Sequence, residues 1–287
     1  MPNKHLTNAK KNKNDEFFTQ LPDIENELRH YQNHFKNKVV FCNCDDPSFS
    51  NFWKYFHLNF QKLKLKKLIS THYSKEGSSY KMEYSGGNDS DRDIGIKTPL
   101  IENGDFRSQE CIELLKKSDI VVTNPPFSLF REYVAQLTEH NKKFIIIGSL
   151  NAIAYKGISP LIKNNKLWLG YNYVKEFIQK DKTLKKFGNV IWFTNCYITK
   201  RLEKIQLTEI YTPEKYPKYD NYDAINVDKV NEIPKDYNGV MGVPISFLAK
   251  YSPTQFEIIK FKKGNDNKDL RFGGTHPYSR ILIRKII

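Results

Sequence analysis

Four consecutive residues carry the clearest chemistry in the chain: Asn124, Pro125, Pro126 and Phe127, set directly after the run Asp119-Ile120-Val121-Val122-Thr123. A carboxamide oxygen beside a proline carbonyl suits one kind of substrate, a planar NH2 group conjugated to a ring. Such an amine is a poor nucleophile because its lone pair is delocalised. If the Asn124 side-chain oxygen and the Pro125 carbonyl accept its two hydrogens, the nitrogen moves toward tetrahedral geometry. Its lone pair can then be aimed at an electrophilic methyl group. The prolines fix the turn and remove N–H donors that would repel the amine. Phe127 can stack on a base, a contact worth ~1–3 kcal/mol in comparable settings. This is positioning with preorganised electrostatics and requires neither a metal nor a covalent nucleophile. The plainer reading is an Asn-Pro turn that merely ends a strand. A buried strand before the motif and an amphipathic helix after it count against that reading.

Those neighbours belong to a regular alternation. A helix from about Pro22 carries Ile24, Leu28, Tyr31 and Phe35 at helical spacing. Val39–Cys42 reads as a short buried strand, and Asp46-Pro47 as the cap and first turn of the next helix. That helix carries Phe49, Phe52, Trp53, Phe56 and Phe60, a stripe expected in the core. Further strands are expected at Lys67–Thr71, Asp119–Thr123, Phe144–Ile147 and Val190–Phe193. Helices are expected around Ser108–Lys117 and through Leu129, Tyr133, Val134 and Leu137. The turn-rich stretch 74–98 reads as a loop or exposed hairpin. Strands alternating with helices imply an α/β fold with a doubly wound parallel sheet, whose ligands sit beyond the carboxyl ends of the strands. After about Leu207 the chain becomes punctuated by Pro and Tyr. The expected division is a catalytic domain over 1–205, opening with a basic arm over 1–15, and a smaller C-terminal lobe over 206–287.

Composition narrows the partner. The chain has 287 residues and a formal net charge of +14, with 39% hydrophobic and 14% aromatic residues. That aromatic and apolar content excludes a disordered chain. No apolar run approaches the ~20 residues of a membrane span. No apolar segment follows the basic N-terminus, so no secretory signal is read there, and a cytoplasmic protein is expected. Four cysteines in a chain this long do not make a disulfide scaffold. The charge favours a polyanion, nucleic acid first. An abundance of Lys and Asn, as in an AT-rich genome, accounts for the charge about equally well.

Several further segments stand in a telling order. Asp15-Glu16-Phe17-Phe18-Thr19 comes first. Cys42-Asn43-Cys44-Asp45-Asp46-Pro47 follows the first strand, then Gly104-Asp105-Phe106, then Asn124–Phe127. In this order the chain resembles the class I, S-adenosylmethionine-dependent amino-methyltransferases. More closely, it resembles the EcoRI-type adenine-specific DNA methyltransferases. The resemblance runs from about Asn14 to Lys200 and is weaker beyond.

The resemblance implies a Rossmann-like sheet with helices on both faces and S-adenosyl-L-methionine as methyl donor. It also implies methylation of N6 of an adenine flipped out of double-stranded DNA. Asn124, Pro125, Pro126 and Phe127 are then catalytic. Phe17, Phe18 and Thr19 would wrap the methionine end of the cofactor, and Asn43, Asp45 and Asp46 would line its loop. Asp105 with Phe106 would meet its adenine. Target choice falls to the C-terminal lobe and the insert 151–186. The biological role implied is host protection beside a restriction endonuclease encoded nearby, with no membrane partner.

Two departures stand out. The first loop has no G-x-G, and no Asp or Glu ends the second strand, so no ribose ligand is assigned. Cys42-x-Cys44 lacks the partners of a zinc site. Trp192 and Phe193 resemble the aromatic position that helps hold a flipped base, although a place in the core explains them as well. Rival readings are an RNA base or a protein glutamine as the methylated amine, and a non-catalytic nucleic-acid-binding module on the same fold.

Overall fold

The computed structural model describes residues 18–75, 77–87, 95–179, 183–262, 270–274 and 279–286. The basic arm and Phe17 lie outside them. The chain divides into two compact units, Met1–Ala152 with Gly170–Cys196 and Ile153–Leu169 with Tyr197–Ile287. This differs from a single boundary at 205/206. Residues 153–169 join the second unit because their short helix α6 (Ser159–Lys163) packs on that unit's strand β13 (Phe256–Lys262).

The first unit is built on a nine-stranded sheet. In chain order its strands are β1 (Phe18–Thr19), β2 (Val39–Cys42), β3 (Lys67–His72), β4 (Tyr80–Tyr84), β5 (Ile96–Pro99), β6 (Ile120–Thr123), β7 (Lys143–Ser149), β8 (Trp168–Ile178) and β9 (Leu184–Thr194). In space they run β1-β8-β9-β7-β6-β2-β3-β4-β5. The centre, β7-β6-β2-β3, is parallel. The flanks add antiparallel strands to the expected parallel sheet: β9 opposes β7, β4 opposes β3, β5 opposes β4 and β1 opposes β8. For β3 and β4 the connection explains this: residues 73–79 are too few for a helical crossover, and short links join antiparallel strands.

All residues of β2 and β6 are buried, so both faces of the central sheet are covered. The covering helices are α1 (Leu21–Leu28), α2 (Asn51–Leu58), α3 (Phe60–Leu63), α4 (Gln109–Lys117) and α5 (Phe130–Glu139). Ile24, Leu28, Tyr31 and Phe35 are fully buried, as their spacing requires. Phe52, Trp53, Phe56 and Phe60 are buried too, whereas Phe49 is 69% exposed. The reason is that α2 begins later than the sequence suggests. Ser50, not Asp46, is its cap, accepting from the Phe52 and Trp53 amides at 3.0 and 3.4 Å. Phe49 therefore lies in the preceding turn and off the helix.

The second unit holds a five-stranded sheet, β10 (Lys218–Tyr219), β11 (Tyr222–Asn226), β12 (Met241–Pro244), β13 and β14 (Arg280–Lys285), in the spatial order β10-β11-β12-β14-β13. Tyr219, Ala224, Leu270 and Leu282 pack together as its core. Among the described residues no helix is long and apolar enough to cross a membrane.

Candidate active site

The parallel strands supply the location. The chain passes from β2 outward to β3, then returns past β2 to β6, so the loops after β2 and β6 diverge. Such a switch of direction leaves a crevice at the carboxyl ends of the two strands. Both key segments open there: 43–50 after β2, and Asn124–Pro126 after β6, leading to a 3-10 turn over Phe127–Leu129 and then α5. The Leu129 amide donates to the Pro126 carbonyl at 2.9 Å and closes that turn.

Side chains lace the two loops together. Thr123 Oγ1 accepts from the Cys44 amide at 3.2 Å and donates to the Asp45 carboxylate. The same carboxylate accepts from Ser50 Oγ at 3.0 Å and from the Asn124 amide. On the other side, Ser70 Oγ of β3 donates to the Asp45 carbonyl, and Thr71 Oγ1 donates to the Asn43 carbonyl at 3.0 Å. Enclosure of the Asp45 carboxyl among protein atoms, opposed by these donors, pushes its pKa up to about 7.

Asp46 is engaged differently. Its carboxylate accepts from the Ser48 amide at 2.9 Å and the Tyr80 hydroxyl at 2.7 Å, and pairs with His72 Nδ1 at 3.0 Å. Tyr80 OH and Ser48 Oγ are 2.8 Å apart. His72 and Tyr80 therefore bring polar atoms to the carboxyl end of β3, where the sequence offers no acid. Nothing local in the sequence announces this cluster, because Tyr80 lies 34 residues from Asp46. Ser50, by contrast, was legible as a small polar residue just before an apolar helical run.

Asn43 is buried, its Oδ1 accepting from the Tyr133 hydroxyl on α5. Its Nδ2 is buried with no hydrogen-bond partner among the described residues, as is Thr19 Oγ1. The Thr19 carbonyl accepts from Asn51 Nδ2 at 2.8 Å, which joins β1 to the start of α2. Buried polar atoms without partners call for a ligand or water. A donor and a hydroxyl fit a polar, nucleoside-bearing molecule. Phe18 lies 6.5 Å from Phe49, ring centre to ring centre.

Asp105 accepts a two-pronged bond from Arg107, at 2.8 and 2.7 Å. Partial burial pushes its carboxyl up, but the Arg107 guanidinium outweighs that and holds it below its ordinary range. Phe106 is buried edge-on against Tyr133 at 5.0 Å. Gly104, at φ 75°, lets this loop press on the end of β3, since a Cβ there would collide with the His72 carbonyl.

Phe127 is only 9% exposed. It meets Phe177 of β8 and Phe187 of β9 edge-on, at 6.2 and 6.3 Å. Trp192 and Phe193 are fully buried, against Phe52 and Phe130, and so belong to the core. The four cysteines are free thiols.

An α/β sheet with a polar crevice at its switch point and an Asn-Pro-Pro-Phe turn on its rim defines a class I methyltransferase. Comparison with known proteins refines this: residues 5–285 match the family described as adenine-specific methyltransferase EcoRI, and the chain belongs to that family. It is an adenine-specific DNA methyltransferase. The type II methyltransferase M.EcoRI of Escherichia coli is 50% identical, with 98% of this chain and 96% of that protein covered. M.MgeORF184P of Mycoplasma genitalium is 38% identical, with 98% of each covered. M.MpnI of Mycoplasma pneumoniae is 42% identical, with 89% of this chain and 85% of that protein covered. No solved structure matches the chain.

Proposed function

We propose that the protein transfers a methyl group from S-adenosyl-L-methionine to N6 of an adenine extruded from double-stranded DNA. The observation that carries this reading is the Asn124–Phe127 turn at the mouth of the switch-point crevice, tied through Asp45 to the loop after β2. Asn124 Oδ1 and the Pro125 carbonyl accept the two amine hydrogens, and Phe127 stacks on the base. Extrusion costs a few kcal/mol and is offset by stacking and by hydrogen bonds to the base edge. Bound S-adenosyl-L-methionine supplies the electrophilic methyl. Thr19 Oγ1 and Asn43 Nδ2, both buried and without hydrogen-bond partners among the described residues, support a place for it beside Phe18. Asp105 and Phe106 would meet its adenine. The Asp46–His72–Tyr80 cluster offers the acceptors and donors that ribose hydroxyls take.

The second unit is assigned target recognition, and the biological role is protection of host DNA in the cytoplasm, beside a restriction endonuclease of matching sequence preference. The test is incubation with tritiated S-adenosyl-L-methionine and DNA, RNA or protein, followed by digestion. Label in N6-methyladenine from DNA is expected. Label confined to RNA or to glutamine would overturn the reading. Asn124→Ala should abolish transfer while leaving DNA affinity largely intact.

A further inference from the structure

We infer that Asp45 is a positioning residue for methyl transfer: its carboxylate clamps the Asn124 main chain, and with it the Asn-Pro-Pro-Phe turn, to the loop that follows β2. This rests on the reading of Asn124 as catalytic and assigns Asp45 a task other than cofactor contact. An ionised carboxylate has about four lone-pair sites. Protein donors take three of them here: Thr123 Oγ1, Ser50 Oγ at 3.0 Å, and the Asn124 amide. The Asp45 carbonyl is in turn held by Ser70 Oγ of β3. One residue thus joins the loop after β2, strand β3 and the end of β6. A carboxylate spent in this way fixes protein geometry. Geometry is what the Asn124 carboxamide needs, because a displacement of ~1 Å in a reacting group can cost ~100-fold in rate.

The clamp depends on charge. Protonating the carboxyl removes its negative charge, and with it the charge-assisted strength of the three bonds it accepts. The enclosed carboxyl takes up that proton at about pH 7. Other titratable groups face it from the packed elements. Asp46 follows it on the loop and is paired with His72 of β3 at 3.0 Å. Burial pushes the thiols of Cys42 and Cys44, and the Tyr133 phenol of α5, well above their ordinary values, so these are neutral near pH 7. Asp105, on the loop before α4, is held ionised by Arg107.

The test is single-turnover methyl transfer at saturating S-adenosyl-L-methionine and DNA from about pH 5.5 to about pH 8.5, with the cofactor dissociation constant measured in parallel. The wild-type rate is expected to rise through a midpoint near pH 7 as the carboxylate forms. Asp45→Asn should be about 10–100-fold slower and flat across that range, with cofactor affinity changed less than about threefold. Thr123→Val keeps the carboxyl and removes one donor. A carboxylate that loses a donor holds its proton to higher pH, so the midpoint should move up. This variant carries the test by itself if Asp45→Asn does not fold. The inference is overturned if Asp45→Asn keeps the wild-type profile, or if it loses cofactor affinity while retaining its saturated rate. It is overturned equally if Thr123→Val leaves the midpoint in place. Asn124→Ala in the same assay separates the two claims: wild-type transfer by that variant would sink the catalytic reading itself.

Discussion

Phe127 illustrates how much a single side chain is asked to do. The proposed function has it stack on a base, and in the structure it is packed edge-on against Phe177 and Phe187. Removing the ring altogether mixes the two roles, because emptying a buried aromatic site costs about 3–5 kcal/mol of stability. Phe127→Leu fills most of the volume and lacks the stacking face. It should keep a near-wild-type melting temperature and lose transfer by about 5–100-fold, the range of one stacking contact. A variant that melts early but transfers normally would assign Phe127 to packing alone. Asp45 carries a stability signature as well. Its folded pKa of about 7 lies above the ordinary aspartate value of ~3.9, so the folded state binds this proton more tightly than the unfolded chain. The resulting stabilisation is full below the ordinary value and is lost as pH rises through about 7. Thermal melts between about pH 5 and about pH 8 should show a steeper loss in wild type than in Asp45→Asn.

At the scale of elements, the start of α2 and the packing of β7 hold the site in place. Ser50 caps α2 and also donates to Asp45, so one hydroxyl fixes both a helix end and the clamp. Ser50→Ala should cost about 1 kcal/mol in denaturant unfolding for the lost cap. It should also slow transfer more than that small destabilisation accounts for. An unchanged rate would separate the cap from the clamp. Gly148 of β7 lies against the Phe130 ring of α5, and a Cβ there would collide with it. Because α5 follows the Asn124–Phe127 turn after one 3-10 turn, Gly148→Ala should displace that turn. Reduced activity with little change in DNA affinity is expected, measured by single-turnover transfer and by fluorescence anisotropy. The late start of α2 shows where local signals stop. Asp46-Pro47 has the form of a helix start, but Tyr80, Ser48 and His72 occupy that carboxylate.

For the whole molecule, the net charge of +14 favours a polyanionic partner, and some of the lysines are also paired within the protein. Lys67 pairs with Glu83 at 2.6 Å and Lys186 with Glu176 at 3.2 Å, so these two lysines already have carboxylate partners. DNA affinity should fall steeply with salt, its logarithm declining linearly with log salt at ~0.9 per phosphate contacted. Lys67→Ala should leave that slope near the wild-type value. An affinity indifferent to salt would remove backbone contacts from the account.

The sequence by itself pointed to the chemistry and determined the core. Asn124–Phe127 after an apolar strand points to the proposed substrate group, because a carboxamide oxygen beside a proline carbonyl suits a planar amine with two hydrogens. The positions of Ile24, Leu28, Tyr31 and Phe35 name a buried helical face, because periodicity is a local property. Tertiary structure alone decided who holds whom. The antiparallel flanks, the Asp46–His72–Tyr80 cluster, the burial of Trp192 and the joining of 153–169 to the second unit all depend on contacts between distant residues. So does the Asp45 clamp, in which Thr123 and Asn124 meet a carboxylate 78 residues before Thr123. Spacing along the chain carries no record of such a pair, since folding brings its members together only when the sheet closes around the order β6-β2-β3.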